Sequence, residues 1–61
     1  PLVIGKGENE NYIASDIPAI LSYTKDFYIL NDNEYVEIYR DSMDFYDSNL
    51  NKIQKEIKNT I

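Results

Sequence analysis

The first sixteen residues constrain this chain more than any other stretch. Leu2–Ile4 and Tyr12–Ala14 are short apolar runs, and the polar loop between them holds both glycines of the sequence, Gly5 and Gly7. Apolar runs separated by a glycine-bearing polar segment predict two adjacent strands joined by a turn. Neither run alternates with polar residues, so both strands are expected to need cover on both faces. The chain has 61 residues. A domain of about that length buries only about 60% of the surface its unfolded chain exposes, so part of the cover, over Val3 and Ile13, is expected to come from other polypeptide. The chain also starts at Pro1 with no initiator methionine, and the expectation is an excised or processed segment.

After the second apolar run, Ser15 and Asp16 can accept hydrogen bonds from the free amides of a first helical turn, and Pro18 costs nothing there. Ile17, Ile20 and Leu21 recur at helical spacing and predict one apolar stripe on a helix of about two turns, too short to persist alone. Phe27–Leu30 is aromatic and branched. Asn31-Asp32-Asn33 reads as a turn that accepts left-handed backbone without glycine. From Glu34 to Arg40 the pattern alternates, with Val36 and Ile38 on one face and Tyr35, Glu37 and Tyr39 on the other. Asp41-Ser42 predicts a second turn, Met43–Tyr46 a strand with Met43 and Phe45 on one side, and Asp47–Asn51 a third turn. Lys52–Ile57 alternates again, placing Ile53 and Ile57 on one face; a helix over Asn51–Ile61 is the alternative, because the lysines are good helix formers. Together these signals predict an α+β chain with two core strands, one short helix and a four-strand antiparallel meander.

Composition excludes several kinds of chemistry. With no cysteine and no histidine, the chain has no disulfide, no zinc site of the usual kind and no Cys/His nucleophile pair. The balance is acidic, at −5, and Pro1–Asp47 carries three basic against ten acidic residues. Such a body repels phosphate backbones, so nucleic acid is not an expected ligand, and the lysines of Ser48–Ile61 read as a solvated edge. No apolar run approaches the roughly 18–20 residues of a membrane span and no signal-peptide pattern is present, so the expectation is a cytoplasmic protein with no membrane partner.

The motifs that invite a site reading mostly fail on their own spacing. Gly5-Lys6-Gly7 follows a strand as a phosphate loop would, but the third glycine position is Glu10 and no helix opens there, so turn glycines are the expectation. Asp47-x-Asn49-x-Asn51 starts like a calcium loop, yet Lys52 and Lys58 stand where a glycine and a bidentate glutamate belong. Glu34, Glu37, Asp41, Asp44 and Asp47 read as solvated surface rather than as acid–base pairs. Glu8 and Glu10 border a loop between packed strands, where sites often form. The tyrosines at 12, 23, 28, 35, 39 and 46 read as cover for half-buried strand faces, each with its hydroxyl at the wet rim. The residues themselves assign no cofactor, no metal and no catalytic or substrate-binding position.

The string Pro-Leu-Val-Ile-Gly-x-Gly-x-x-Glu-x-Tyr-Ile-Ala-Ser-Asp-x-x-Ala, at Pro1 to Ala19, resembles the latter part of the glutaminase domain in the glutamine–fructose-6-phosphate aminotransferase family, also called glucosamine-6-phosphate synthases. The similarity continues through Ile20-Leu21, Thr24, Tyr28-x-Leu30 and the turn leading to Glu34, and fades from about Asp41. The resemblance implies that residues 1–61 are a C-terminal segment of a class II glutaminase domain with the αββα sandwich of N-terminal-nucleophile hydrolases. It implies a parent, expected to be a homodimer, in which an N-terminal cysteine attacks the glutamine amide with its own α-amino group as base. The ammonia then passes to a sugar isomerase domain that converts fructose 6-phosphate to glucosamine 6-phosphate. The family's cysteine and glutamine-binding residues lie upstream of the matched segment, so none falls on a position here. Two departures stand out: Lys6 replaces an aliphatic residue, and Asn33 replaces a turn glycine. Two other readings compete: a free-standing acidic β-rich module that binds a protein partner through its tyrosines, and a segment of another class II amidotransferase, such as one making purine precursors.

Overall fold

The run Leu2-Val3-Ile4 alternates sides of its strand without alternating polarity, so two apolar layers must meet it. In the computed structural model, which describes residues 1–59, they do. Strand β1 (Leu2–Lys6) is flanked by β2 (Asn11–Ala14) and β3 (Asp26–Leu30), both antiparallel to it. Helix α1 (Ile17–Leu21) lies across one face, and the other faces a second sheet built from β4 (Tyr35–Ile38), β5 (Met43–Tyr46) and β6 (Lys52–Ile53). The chain then returns to the first sheet as β7 (Lys58–Asn59), which pairs with β3 and gives the order β2-β1-β3-β7. The result is mostly antiparallel strand with one short helix, an α+β architecture.

Two small cores follow from this layering. On the helix side, Val3 and Phe27 bury against Ile20, with Tyr12, Ala14 and Ile29 around them. Between the sheets, Ile4 and Leu30 bury against Phe45, with Tyr28, Val36, Met43 and Ile53 around them. The expectation that Val3 lacks cover is thus corrected: it is 3% exposed and sealed by the chain's own helix and third strand. Ile13, by contrast, is left uncovered by the described residues. Ile13 is 61% exposed although its register partner Ile4 is 1% exposed. The reason is position: β2 is an edge strand, and the second sheet does not extend over it.

Helix α1 starts as the sequence implies, with Asp16 rather than Ser15 as the cap; its carboxylate accepts the Ala19 amide at 3.1 Å. The apolar stripe is narrower than its spacing predicts. Ile20 is buried, whereas Ile17 and Leu21 are each 38% exposed, because a five-residue helix presents little more than one residue to a sheet. Gly5 is no turn residue. It lies inside β1, and a Cβ there would come within 2.8 Å of Thr24 Cγ2 and 3.1 Å of Ile20 Cδ1. The left-handed residue of the first loop is Asn9, at φ 57.

The four-strand meander is also corrected. Only β4-β5-β6 form one, and β3 belongs to the first sheet. The physical reason is visible in Phe27-Tyr28-Ile29-Leu30, an unbroken apolar run that feeds both cores: Phe27 and Ile29 face the helix, Tyr28 and Leu30 the second sheet. Lys52–Ile57 is not one strand either. It pairs only at Lys52 and Ile53, then crosses between the sheets, leaving Ile57 42% exposed. No helix forms over residues 51–59, and the rest of that alternative lies outside the described residues. The alternations of β4 and β5 stand, with Val36 opposite Phe45 and Ile38 opposite Met43 on the inner face. No helix among the described residues is long and apolar enough to cross a membrane.

Candidate functional site

Three clusters of polar side chains are arranged well enough to ask what chemistry they could perform. The first lies at the end of the layers where the β1–β2 loop meets the β4–β5 turn. The Gly7 amide donates to the Glu10 carbonyl at 2.9 Å and closes the loop, and Asn11 Nδ2 donates to the Tyr39 carbonyl at 3.1 Å, tying the two sheets together. An open groove there is lined by Lys6, Glu8, Tyr28, Arg40, Asp41 and Met43, among others. Its two cations face two carboxylates, so it concentrates charge of neither sign. Glu10, singled out for its loop, accepts the Tyr12 hydroxyl at 2.7 Å, and that hydrogen bond raises the phenol's pKa. Tyr12 in turn stacks on Tyr23 with ring centroids 5.0 Å apart. Glu10 therefore holds an aromatic pair at the rim of the helix-side core.

The second cluster was not legible as a pair. Glu34 is not the solvated carboxylate its turn position suggests: its Oε1 accepts the Lys55 ammonium at 2.6 Å and the Asn31 amide at 2.9 Å. The hydrogen bond from Lys55, followed by that from Asn31, holds the Glu34 carboxyl below its ordinary value of 4.5. This contact ties the β3–β4 turn to the crossing segment that follows β6. Twenty-one positions separate the partners, and no local periodicity links residues so far apart. The turn itself uses Asn33 at φ 66, the left-handed geometry expected of an asparagine in place of glycine.

The third cluster is on the outer face of the second sheet. Tyr35, Glu37 and Tyr46 share that face, as the β4 alternation and its register with β5 require. The Glu37 carboxylate raises the pKa of both the Tyr39 and Tyr46 phenols, Tyr46 to about 12. Asp44, opposite Glu37, pairs with Lys52 at 3.3 Å. Asp47 closes the next turn, accepting the Asn49 amide at 2.9 Å and the Asn51 amide at 3.0 Å. Its carboxylate is thereby used as a turn lock, the role an Asx residue takes in place of metal ligation.

None of these clusters brings a nucleophile to a base. A hydroxyl contact, Thr24 Oγ1 donating to the Lys6 carbonyl at 2.7 Å, fastens the helix exit to β1. Among the described residues, no group of three or more acidic side chains converges as a metal site would need. The contacts seen lock loops, tie the two sheets and orient aromatic rims.

Comparison with other proteins is decisive about kinship. No family model matches the chain, and no solved structure matches it. Curated sequences do. The chain is 47% identical over 57 residues to the isomerising glutamine–fructose-6-phosphate aminotransferase of Clostridium tetani, covering 93% of this chain and 9% of that protein. It is 51% identical over 57 residues to the protein of the same name from Caldanaerobacter subterraneus, again 93% of this chain and 9% of the relative. The Aquifex aeolicus protein of that name is 44% identical over 57 residues, 93% of this chain and 10% of the relative. The resemblance carried by Pro1–Ala19 is borne out, and it runs past Asp41 across nearly the whole chain. The chain spans about a tenth of the length of the relatives it matches.

Proposed function

We propose that this chain is a structural segment of the glutaminase domain of an isomerising glutamine–fructose-6-phosphate aminotransferase. It supplies a two-sided core strand, a short helix and a small meander to that domain, and carries none of its catalytic, substrate-binding or metal-binding residues. The finer fold that goes with this reading is the αββα sandwich of N-terminal-nucleophile hydrolases. In the parent, an N-terminal cysteine outside this segment attacks the side-chain amide of glutamine, its own α-amino group taking the proton. Ammonia released there reaches a sugar isomerase domain and converts fructose 6-phosphate to glucosamine 6-phosphate. The parent works in the cytoplasm as a homodimer, and the partners of this segment are the rest of the glutaminase domain and the isomerase domain.

The observation that carries the reading is the edge strand β2. Its backbone is paired on one side only, and Ile13 stands 61% exposed beside a partner, Ile4, that is almost completely sealed. An apolar, unprotected edge is what an interior strand looks like when its neighbour is elsewhere in the polypeptide. Identity of 41–51% to the named aminotransferases over more than nine-tenths of the chain agrees with it. The test is direct. Purified as the 61-residue chain, the protein is expected to release no ammonia from glutamine in a coupled assay; release above that of a buffer blank, retained through further purification, overturns the reading.

One observation favours a second reading. Val3 and Ile4 are both sealed by the chain itself, at 3% and 1% exposure, which is what a free-standing acidic module would need. Such a module would have no enzymatic role and would meet its partner through tyrosines.

A further inference from the structure

The outer face of the second sheet carries three features that each cost stability where they stand. Glu37 lies directly opposite Asp44 in the β4–β5 register, and like charges at such positions repel. Lys52 answers Asp44, at 3.3 Å, whereas Glu37 has no cation within ion-pair distance among the described residues. Beside them Tyr35, Glu37, Tyr46 and Leu50 line an apolar hollow. Leu50 is 68% exposed and Tyr35 53%, and Leu50 adopts φ 63, a left-handed conformation unfavourable for a side chain with a Cβ.

We propose that this face is a docking surface for a cationic segment of the longer polypeptide, one that brings a lysine or arginine to Glu37 and an aliphatic side chain into the hollow between Tyr35, Tyr46 and Leu50. The inference rests on the segment reading above. Charge selects the occupant. The chain is acidic overall, at −5, and this face sets two carboxylates against one lysine, so a positive group is the complement. Phenol rings flanking a carboxylate also suit a guanidinium, which can pair with the oxygens and lie over a ring. A second copy of the chain would set the same carboxylates against each other. The longer polypeptide has ample sequence to provide the segment, since this chain is about 9% of its relatives' length.

Hydroxyl-radical footprinting of the full-length polypeptide, read by mass spectrometry, tests the assignment. Tyr35 and Leu50 are expected to react several-fold more slowly in the native protein than after unfolding in denaturant. In the charge reversal Glu37→Lys that protection is expected to be lost, while Phe45, 4% exposed between the sheets, stays protected and reports an intact fold. Should the reversal unfold the protein, Glu37→Gln removes the charge with little change of shape and is expected to give a partial loss. Equal reactivity of Tyr35 and Leu50 in native and unfolded protein overturns the proposal. So does protection that disappears on dilution, which would assign the cover to a second copy, or protection indifferent to Glu37. The segment reading fails on a separate result, a cooperative melt of the isolated chain.

Discussion

Gly5 shows how much one residue type can decide here. Its φ is not left-handed, so conformational freedom is not the reason for it; the reason is space, with Ile20 and Thr24 pressed onto β1. Gly5→Ala is expected to cost about 1–3 kcal/mol, the usual range for forcing a methyl into a packed interior, measured by urea unfolding of the full-length polypeptide. A shift within error would mean that the helix can lift off β1 freely. At the other surface, Tyr46 reports the carboxylate beside it. Its pKa is raised from 10.0 to about 12, first by Glu37 and then by burial and nearby charge. Because the folded value exceeds the unfolded one, the stability this adds is complete below pH 10 and is lost as pH rises towards 12. Glu37→Gln is expected to bring the Tyr46 phenolate titration, followed by ultraviolet absorbance, back towards 10; an unchanged midpoint would remove Glu37 as the cause. Which residues alternate along β4 was legible in the sequence. Which residue of β5 faces Glu37 was not, because register depends on the turn and on both inner faces together.

Elements in this chain are held mainly by what joins them. Helix α1 has five residues and one buried side chain, Ile20, yet it is capped by Asp16 and closed by Tyr23 and Thr24 amides on the Ile20 carbonyl, at 2.9 Å and 3.0 Å. The crossing segment after β6 is held by Lys55 on Glu34. Glu34 titrates below its ordinary 4.5, so its contribution is present above that value and is lost as pH falls through the lower folded value. The full-length polypeptide is expected to lose urea resistance on acidification below that point, and Glu34→Gln is expected to start lower and flatten part of that acid limb. Parallel curves for the two proteins would show that the pair contributes nothing. Existence and order of the helix and of the β4 and β5 strands were readable from spacing and caps. Assigning β3 to the first sheet and splitting Lys52–Asn59 into two short pairings were not, since local pattern does not say which sheet a strand joins.

For the whole molecule the question is whether these residues can stand alone. The two cores rest on three buried side chains each, and β2 leaves Ile13 open at an unprotected edge. A chain of about this size is marginal even with a closed interior. The isolated chain is therefore expected to melt broadly by circular dichroism, or to aggregate through that edge. A sharp cooperative transition, reversible and independent of concentration, would favour the free-standing module instead. By itself the sequence determined the kinds of elements, the turn at Asn33, the exclusion of thiol and imidazole chemistry, and the kinship carried by Pro1–Ala19. All of these are local properties or direct matches of residue type. Only the tertiary structure decided that Val3 is sealed from within while Ile13 is not, that Glu34 meets Lys55, and that Glu37 faces Asp44. Each depends on residues far apart in the chain arriving at one place, and that is settled by how the layers pack, not by the pattern of any one stretch.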